Sequence, residues 1–139
     1  MNKDLISLLT SSDASLVVSN HGVVRTFFKK GVRDLEDLLD HDPEFLKGAV
    51  VVDKVVGKAS AGMMAFGGVR ELHALTLSAL ALPMLEAGGI EYSYDLMVDH
   101  IIIPEGDDRC PLEKIVAEAK TPEEVVRLLR EHFREMNHR

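Results

Sequence analysis

The chain has 139 residues, of which 46% are apolar and 28% charged, and this balance is that of one globular domain with a buried core. Its net charge of -7 argues against binding to DNA or RNA duplexes, because such binding requires a concentrated basic surface. The single cysteine excludes an internal disulfide bond and any site in which several cysteines hold a metal ion. The sequence indicates neither a signal peptide nor a membrane span, so we expect a single domain over residues 1–139 located in the cytoplasm.

The first part of the chain predicts a hairpin followed by a helix and a buried strand. Residues 15–19 and 23–28 have strand composition and flank Asn20-His21-Gly22, whose residues tolerate the positive φ of a tight turn. Apolar residues with helical spacing then predict an amphipathic helix; they are Val32, Leu35, Leu38 and Leu39. The run from Ala49 to Val56 is β-branched and almost wholly apolar, which is typical of a strand buried on both faces.

The predicted helix between Gly31 and Glu44 carries most of the acidic charge. Six carboxylates stand against one arginine, Arg33, which is a local net charge of -5; the six are Asp34, Glu36, Asp37, Asp40, Asp42 and Glu44. A solvated helix face is one interpretation of this charge, and an acidic docking surface for a partner is the alternative.

The second part of the chain predicts alternating helices and strands. Small residues from Ala59 to Phe66 predict a helix that ends at Gly67-Gly68. Glu71–Leu77 is ambiguous, since its composition suits a helix, whereas Pro83 favours a strand followed by a separate helix from about Ser78 to Ala87.

Two further strands are predicted at Ile90–Tyr94 and Val98–Ile103, and a last helix begins at Thr121-Pro122. Strands that alternate with helices predict an α/β protein, a three-layer α/β/α sandwich with a mixed central sheet.

The junction after the buried strand is the first candidate site. Gly57, Lys58 and Ser60 stand where a helix starts, and free amide groups beside a lysine suit a phosphate or carboxylate. A P-loop is excluded, because Val52 occupies the position of the glycine that opens that motif. The alternative interpretation is a plain turn before a helix.

Cys110 is the second candidate site. Pro111 suits the first position of a helix, so the Cys110 thiol would feel the positive end of the helix dipole, with Glu113 nearby to assist. A small structural cysteine is the alternative. The six histidines show no metal-ligand spacing, so we expect no metal and no cofactor. Among them, His100 is the one whose neighbour, Asp99, could tune its imidazole.

From Val51 to Glu118 the sequence resembles a family of small uncharacterised bacterial proteins whose fold is similar to that of cytidine deaminase. The matching segments are Gly57-Lys58-Ala59-Ser60-Ala61, Gly67-Gly68-Val69, Gly88-Gly89-Ile90, Ile101-Ile102-Ile103-Pro104 and Cys110-Pro111-Leu112-Glu113-Lys114. With the N-terminal hairpin and helix included, the resemblance covers nearly the whole chain. It implies a cytidine-deaminase-like sheet with a pocket at helix N-termini.

The same resemblance argues against zinc-dependent deamination. The zinc-ligand and glutamate positions of such enzymes fall on Lys58-Ala59-Ser60 and near Ser78-Ala79-Leu80-Ala81, which supply none of those groups. Three hypotheses follow. The protein binds a small anionic or nucleotide-like ligand through Gly57, Lys58 and Ser60; or it is a non-catalytic interaction protein that pairs with itself or another chain; or it is a thiol-dependent enzyme that uses Cys110.

Overall fold

The computed structural model describes residues 2–29, 32–101 and 110–137, in which helices and strands alternate along most of the chain. In order, the elements are α1 Asn2–Thr10, β1 Leu16–Asn20, β2 Val23–Phe27, α2 Arg33–His41, α3 Pro43–Leu46, β3 Val50–Val56, α4 Lys58–Gly67, β4 Glu71–Ser78, a 3-10 turn Ala79–Ala81, α5 Leu82–Ala87, β5 Glu91–Val98, α6 Cys110–Ile115 and α7 Pro122–Asn137.

The five strands form one mixed sheet in the order β2-β1-β3-β4-β5. β1 is antiparallel to both of its neighbours, whereas β3, β4 and β5 run parallel. Helices flank the sheet on both faces, which confirms the predicted α/β class and is consistent with the three-layer arrangement. β2 and β5 are the two edge strands.

The apolar composition of β3 follows from its place in the middle of this sheet. Val51 packs into the large core beneath α2 to α7, whereas Val50 and Val52 pack into a smaller cluster with Leu5 and Leu9 of α1. Because a strand alternates its side chains between two faces, a strand covered on both is apolar at most positions, and the two charged residues of β3, Asp53 and Lys54, are only half-buried.

The small residues of α4 let this helix pack closely against α7. A Cβ placed on Gly62 would stand 2.5 Å from the Cγ1 atom of Val125, so only glycine fits at this point of contact. The helix ends as predicted at a left-handed glycine, Gly68, whose φ is 80°.

Two predictions for the first half of the chain are confirmed. The hairpin pairs β1 with β2 through His21 and Gly22, whose φ angles of 53° and 76° are those of a tight primed turn. The amphipathic helix is α2, which buries Leu35, Leu38 and Leu39. α1 was not predicted from the sequence.

The ambiguous stretch from Glu71 onwards is a strand followed by helical turns. β4 covers Glu71–Ser78, and Pro83 lies in the first turn of α5, where its missing amide costs no hydrogen bond. Among the described residues, no helix is both long and apolar enough to cross a membrane.

The predicted strand Val98–Ile103 is wrong as far as the structure describes it. A single longer strand, β5, runs from Glu91 to Val98, and Asp99 and His100 form a bend after it. The rest of that segment, residues 102–109, lies outside the described residues. Apolar composition alone did not show where the strand ends.

Asp34 on α2 is not part of a solvated acidic face, because its side chain is buried with 5% of its surface exposed. One carboxylate oxygen accepts hydrogen bonds from the Lys29 main-chain N–H at 3.0 Å and from the Ser15 hydroxyl at 3.4 Å. Burial raises the pKa of the Asp34 carboxyl above its ordinary value, while these hydrogen bonds oppose that shift.

Three other carboxylates of the acidic segment pair with cations of the same chain. Asp37 binds Lys29, Asp40 lies 3.5 Å from Arg130, and Asp42 lies 3.0 Å from Arg25. Much of the predicted acidic surface is therefore engaged within the fold.

The raised pKa of Asp34 predicts a specific pH dependence of stability. The folded chain holds this proton more tightly than the unfolded chain, so the free energy of unfolding contributed by Asp34 falls as pH rises above about 4. We expect Asp34→Asn to remove that fall, measured by urea unfolding from pH 4 upwards, while Asp13→Asn at an exposed position leaves the wild-type slope unchanged. An equal slope in wild type and Asp34→Asn would contradict the assignment.

Candidate functional site

The start of α4 lies directly after β3, where Gly57 caps the helix and Lys58 is its first residue. The Gly57 N–H donates to the Ser60 hydroxyl oxygen at 3.2 Å, and that hydroxyl donates to the Gly57 carbonyl at 3.3 Å. Ser60 is buried. Its hydroxyl therefore serves the helix start itself.

The next two amides of the helix are held by the side chain of Glu113 on α6. One carboxylate oxygen accepts from the Lys58 N–H at 2.8 Å, and the other accepts from the Ala59 N–H at 2.9 Å. Both are amides that a helix leaves without a partner, and they lie at the positive end of the helix dipole. The start of α4, where the sequence suggested an anion site, thus has anion-binding geometry. The anion bound there is the carboxylate of Glu113 in the same chain.

Gly57 is required for this contact by the close approach of the carboxylate. A Cβ at this position would lie 2.2 Å from Glu113 Oε1 and 2.7 Å from Ile101 Cδ1. Only glycine leaves room for the Glu113 carboxylate to reach the two amides.

Lys58 binds the other end of α6. Its Nζ donates to the Ala117 carbonyl oxygen at 2.9 Å, just beyond the end of α6. A cation suits this end of a helix, where carbonyl groups lack partners. Together with the buried side chains of Leu112 and Val116, the two contacts fasten α6 to the start of α4.

The structure brings Gly57, Lys58 and Ser60 together with Glu113, which sequence reasoning had placed in a separate candidate site. Cys110 is the first residue of α6, but its side chain lies outside the described residues, as does the polar loop before it. The pairing of Glu113 with α4 required the tertiary structure, because 55 residues separate it from Lys58.

A second polar cluster lies on the face of the sheet that α1 partly covers, and sequence reasoning missed it. His73 on β4 places Nδ1 2.7 Å from the Ser93 hydroxyl oxygen and Nε2 3.0 Å from Asp95 Oδ1, both on β5. His73 and Ser93 are register partners in the parallel pair of strands. The histidine that the sequence favoured, His100, lies in the bend after β5.

β5 itself is exposed along most of its length. Tyr92, Tyr94 and Leu96 are large apolar residues with 37%, 44% and 56% of their surface exposed. Tyr92 and Tyr94 are register partners of Leu72 and Ala74, two core residues, so both tyrosines project on the face that carries the large core. An exposed edge strand of this length is a surface to which another strand can pair.

Metal binding finds no support in the described part of the chain, where no group of three or more His, Cys, Asp or Glu side chains is placed to hold an ion.

These features define a mixed α/β protein in which a helix-start anion position is closed by an internal carboxylate. The chain belongs to the TM1506 family, a domain of unknown function (DUF1893), whose model matches residues 4–133. It is also similar to the crystal structure of a DUF1893 family protein (TM1506) from Thermotoga maritima, with 27% identity, a TM-score of 0.82, and coverage of 94% of this chain and 88% of that one. Curated proteins provide no sequence match. The family confirms the resemblance at that level, and likeness to cytidine deaminase stays a prediction.

The contact between Glu113 and α4 predicts a measurable contribution to stability. We expect Glu113→Gln to lower the free energy of unfolding by about 1 to 2 kcal/mol, because the amide side chain turns one donor towards a main-chain N–H. Urea unfolding measures this loss, with Glu118→Gln at an exposed position of the same segment as control.

Gly57→Ala should cause a comparable loss, since its Cβ displaces the same carboxylate. We expect the double variant Gly57→Ala/Glu113→Gln to lose less stability than the two single losses added together, because both changes break one contact. Strict additivity would show that the two residues act independently.

Proposed function

We propose that this protein is an interaction module that forms a homodimer by pairing β5 with β5 of a second copy. The observation that carries the proposal is the exposure of an eight-residue edge strand that presents Tyr92, Tyr94 and Leu96. Isolated apolar residues at a surface need no explanation, but these three alternate along one strand whose outer edge pairs with no other strand among the described residues.

A second copy is favoured as the partner by the spacing of the charges along β5. In an antiparallel pair of strands, two residues that lie directly opposite each other project on the same face of the sheet. A two-fold axis between two copies of β5 must therefore pass between one residue and the same residue of the second copy. An axis at Ser93 would set Glu91 against Asp95, and an axis at Asp95 would set that carboxylate against itself.

An axis at Tyr94 avoids both repulsions. It places Tyr94 against its own copy and Ser93 opposite Asp95 of the second copy, which gives an aromatic pair on one face and no pair of like charges on the other. The register centred on Tyr94 is therefore the one that the charges allow among the three central registers. The pairing continues the sheet across the dimer and removes one of its two open edges.

Cysteine cross-linking tests both the dimer and its register. In a Cys110→Ser background, Tyr94→Cys should form a disulfide-linked dimer under mild oxidation, because directly opposite residues have Cα atoms about 4.5 to 5.5 Å apart. Val24→Cys is the matched control, since Val24 lies on the other edge strand with 46% exposure against 44% for Tyr94.

Analytical ultracentrifugation gives an independent measurement. We expect wild type to sediment as a concentration-dependent dimer and Tyr94→Lys as a monomer, because two lysines would meet at the axis; Val24→Lys should remain a dimer. A monomeric wild type, or cross-linking of the Val24→Cys control alone, would refute the proposal.

Binding of a small anionic or nucleotide-like ligand is the second candidate function, and the bidentate contact of Glu113 favours it. Two amides that hold both oxygens of a carboxylate at 2.8 and 2.9 Å can hold two oxygens of a phosphate or a free carboxylate in the same way. A ligand would have to displace Glu113, so the side chain would act as a competitor for the site. The nucleotide-like class rests on the resemblance to proteins with a cytidine-deaminase-like fold.

Removal of the competitor tests this second candidate. Glu113→Ala leaves the two amides without their acceptor, so inorganic phosphate and nucleoside monophosphates should raise its melting temperature more than that of wild type. The matched control is Gly57→Ala/Glu113→Ala, in which the Cβ stands near the position of the lost oxygen and should abolish the response. Equal responses in the two variants, or none in either wild type or Glu113→Ala, would reject the site.

A further inference from the structure

We propose that Ser93 is a nucleophile that accepts acyl groups from activated esters, with His73 as its general base and Asp95 as the residue that positions His73. The hydroxyl oxygen, the imidazole and the carboxylate form one continuous chain of contacts, 2.7 Å on the serine side and 3.0 Å on the aspartate side. This order of groups is that of a serine nucleophile, its base and the residue that orients the base.

The partners of His73 determine which of its nitrogens carries the proton. The Asp95 carboxylate can only accept a hydrogen bond, so Nε2 of a neutral imidazole is the protonated nitrogen. Nδ1 then has a free electron pair directed at the Ser93 hydroxyl, which donates to it. A base is therefore already in contact with the proton that must leave when Ser93 attacks.

The location of the cluster makes Ser93 accessible. Val52 packs against α1 in the smaller apolar cluster. His73 is the register partner of Val52, and Ser93 is the register partner of His73, so all three project on the face of the sheet that carries α1. α1 packs against β1 and β3, and it leaves Ser93 exposed and Asp95 63% exposed, whereas the His73 side chain is only 11% exposed. The base is held between strands while the nucleophile faces solvent.

The open sheet face also defines the class of acyl donor. A nucleophile on an open face gains little binding energy from walls around its substrate, so the donor must carry a good leaving group. Aryl esters and thioesters have this property.

The reaction proceeds in two steps that balance. Ser93 Oγ forms a bond to the carbonyl carbon as its proton passes to His73 Nδ1; the bond to the leaving group then breaks, and the same proton is returned to the leaving oxygen or sulfur. Water next attacks the acyl-Ser93 ester with His73 as base, which releases the carboxylic acid and restores the serine. Neither step needs an oxidant, a reductant or a further reactant besides water.

Labelling with a fluorophosphonate, followed by intact mass and peptide mapping, tests the nucleophile directly. We expect one adduct on Ser93 with loss of fluoride, no adduct in Ser93→Ala, and unchanged labelling in Ser19→Ala, another strand serine. His73→Gln should slow labelling about a hundredfold, the usual contribution of a general base, and Asp95→Asn should slow it less. Release of p-nitrophenol from p-nitrophenyl acetate should fall in the same order.

A purely structural role for the cluster predicts a different outcome. The three variants would then lower the melting temperature while wild type showed no Ser93 adduct, and that result would overturn the proposal. Tyr94→Lys separates this inference from the proposed dimer, since Tyr94 projects on the opposite face and its substitution should leave labelling of Ser93 intact. Labelling of any other residue in place of Ser93 would also refute it.

Discussion

The contact of the Glu113 carboxylate with the amides of Lys58 and Ala59 holds the centre of the structure together. It joins the end of the central strand β3, the start of the core helix α4 and the helix α6 in one place. A helix start beneath a sheet leaves amide donors that cannot remain unpaired when water is displaced. Gly57 leaves room for the Glu113 carboxylate, and the Lys58 contact with Ala117 holds the other end of α6.

The same contact limits what the α4 start can do in function. An anion site that is open in a protein can bind a ligand directly, whereas this one must first release an internal carboxylate. By contrast, most residues of β5 are exposed. β5 exposes tyrosine and leucine side chains, and the neighbouring polar cluster places a hydroxyl against an imidazole. The features that most need a functional explanation therefore lie at the β4–β5 edge.

Much of the fold could be predicted because its signals are local. The turn at His21-Gly22, the apolar run of β3, the spacing of Leu35, Leu38 and Leu39, and the Thr121-Pro122 helix start each express a backbone or burial preference within a few residues. The errors lie where the preference depends on distant neighbours. Asp34 has the composition of a solvated face but is buried against Ser15 and Lys29, and Val98–Ile103 has strand composition although β5 ends at Val98.

By itself the sequence determined the α/β class and the family to which the chain belongs, and it identified the Gly57-Lys58 junction as a helix start, since each follows from short-range periodicity or from a contiguous motif. The tertiary structure decided that Glu113 fills this junction and that His73, Ser93 and Asp95 meet. Both results depend on strand order and helix docking, which bring together residues 20 to 55 positions apart. Pairing over such distances is selected by the packing of the whole core, and no local preference of the chain encodes it.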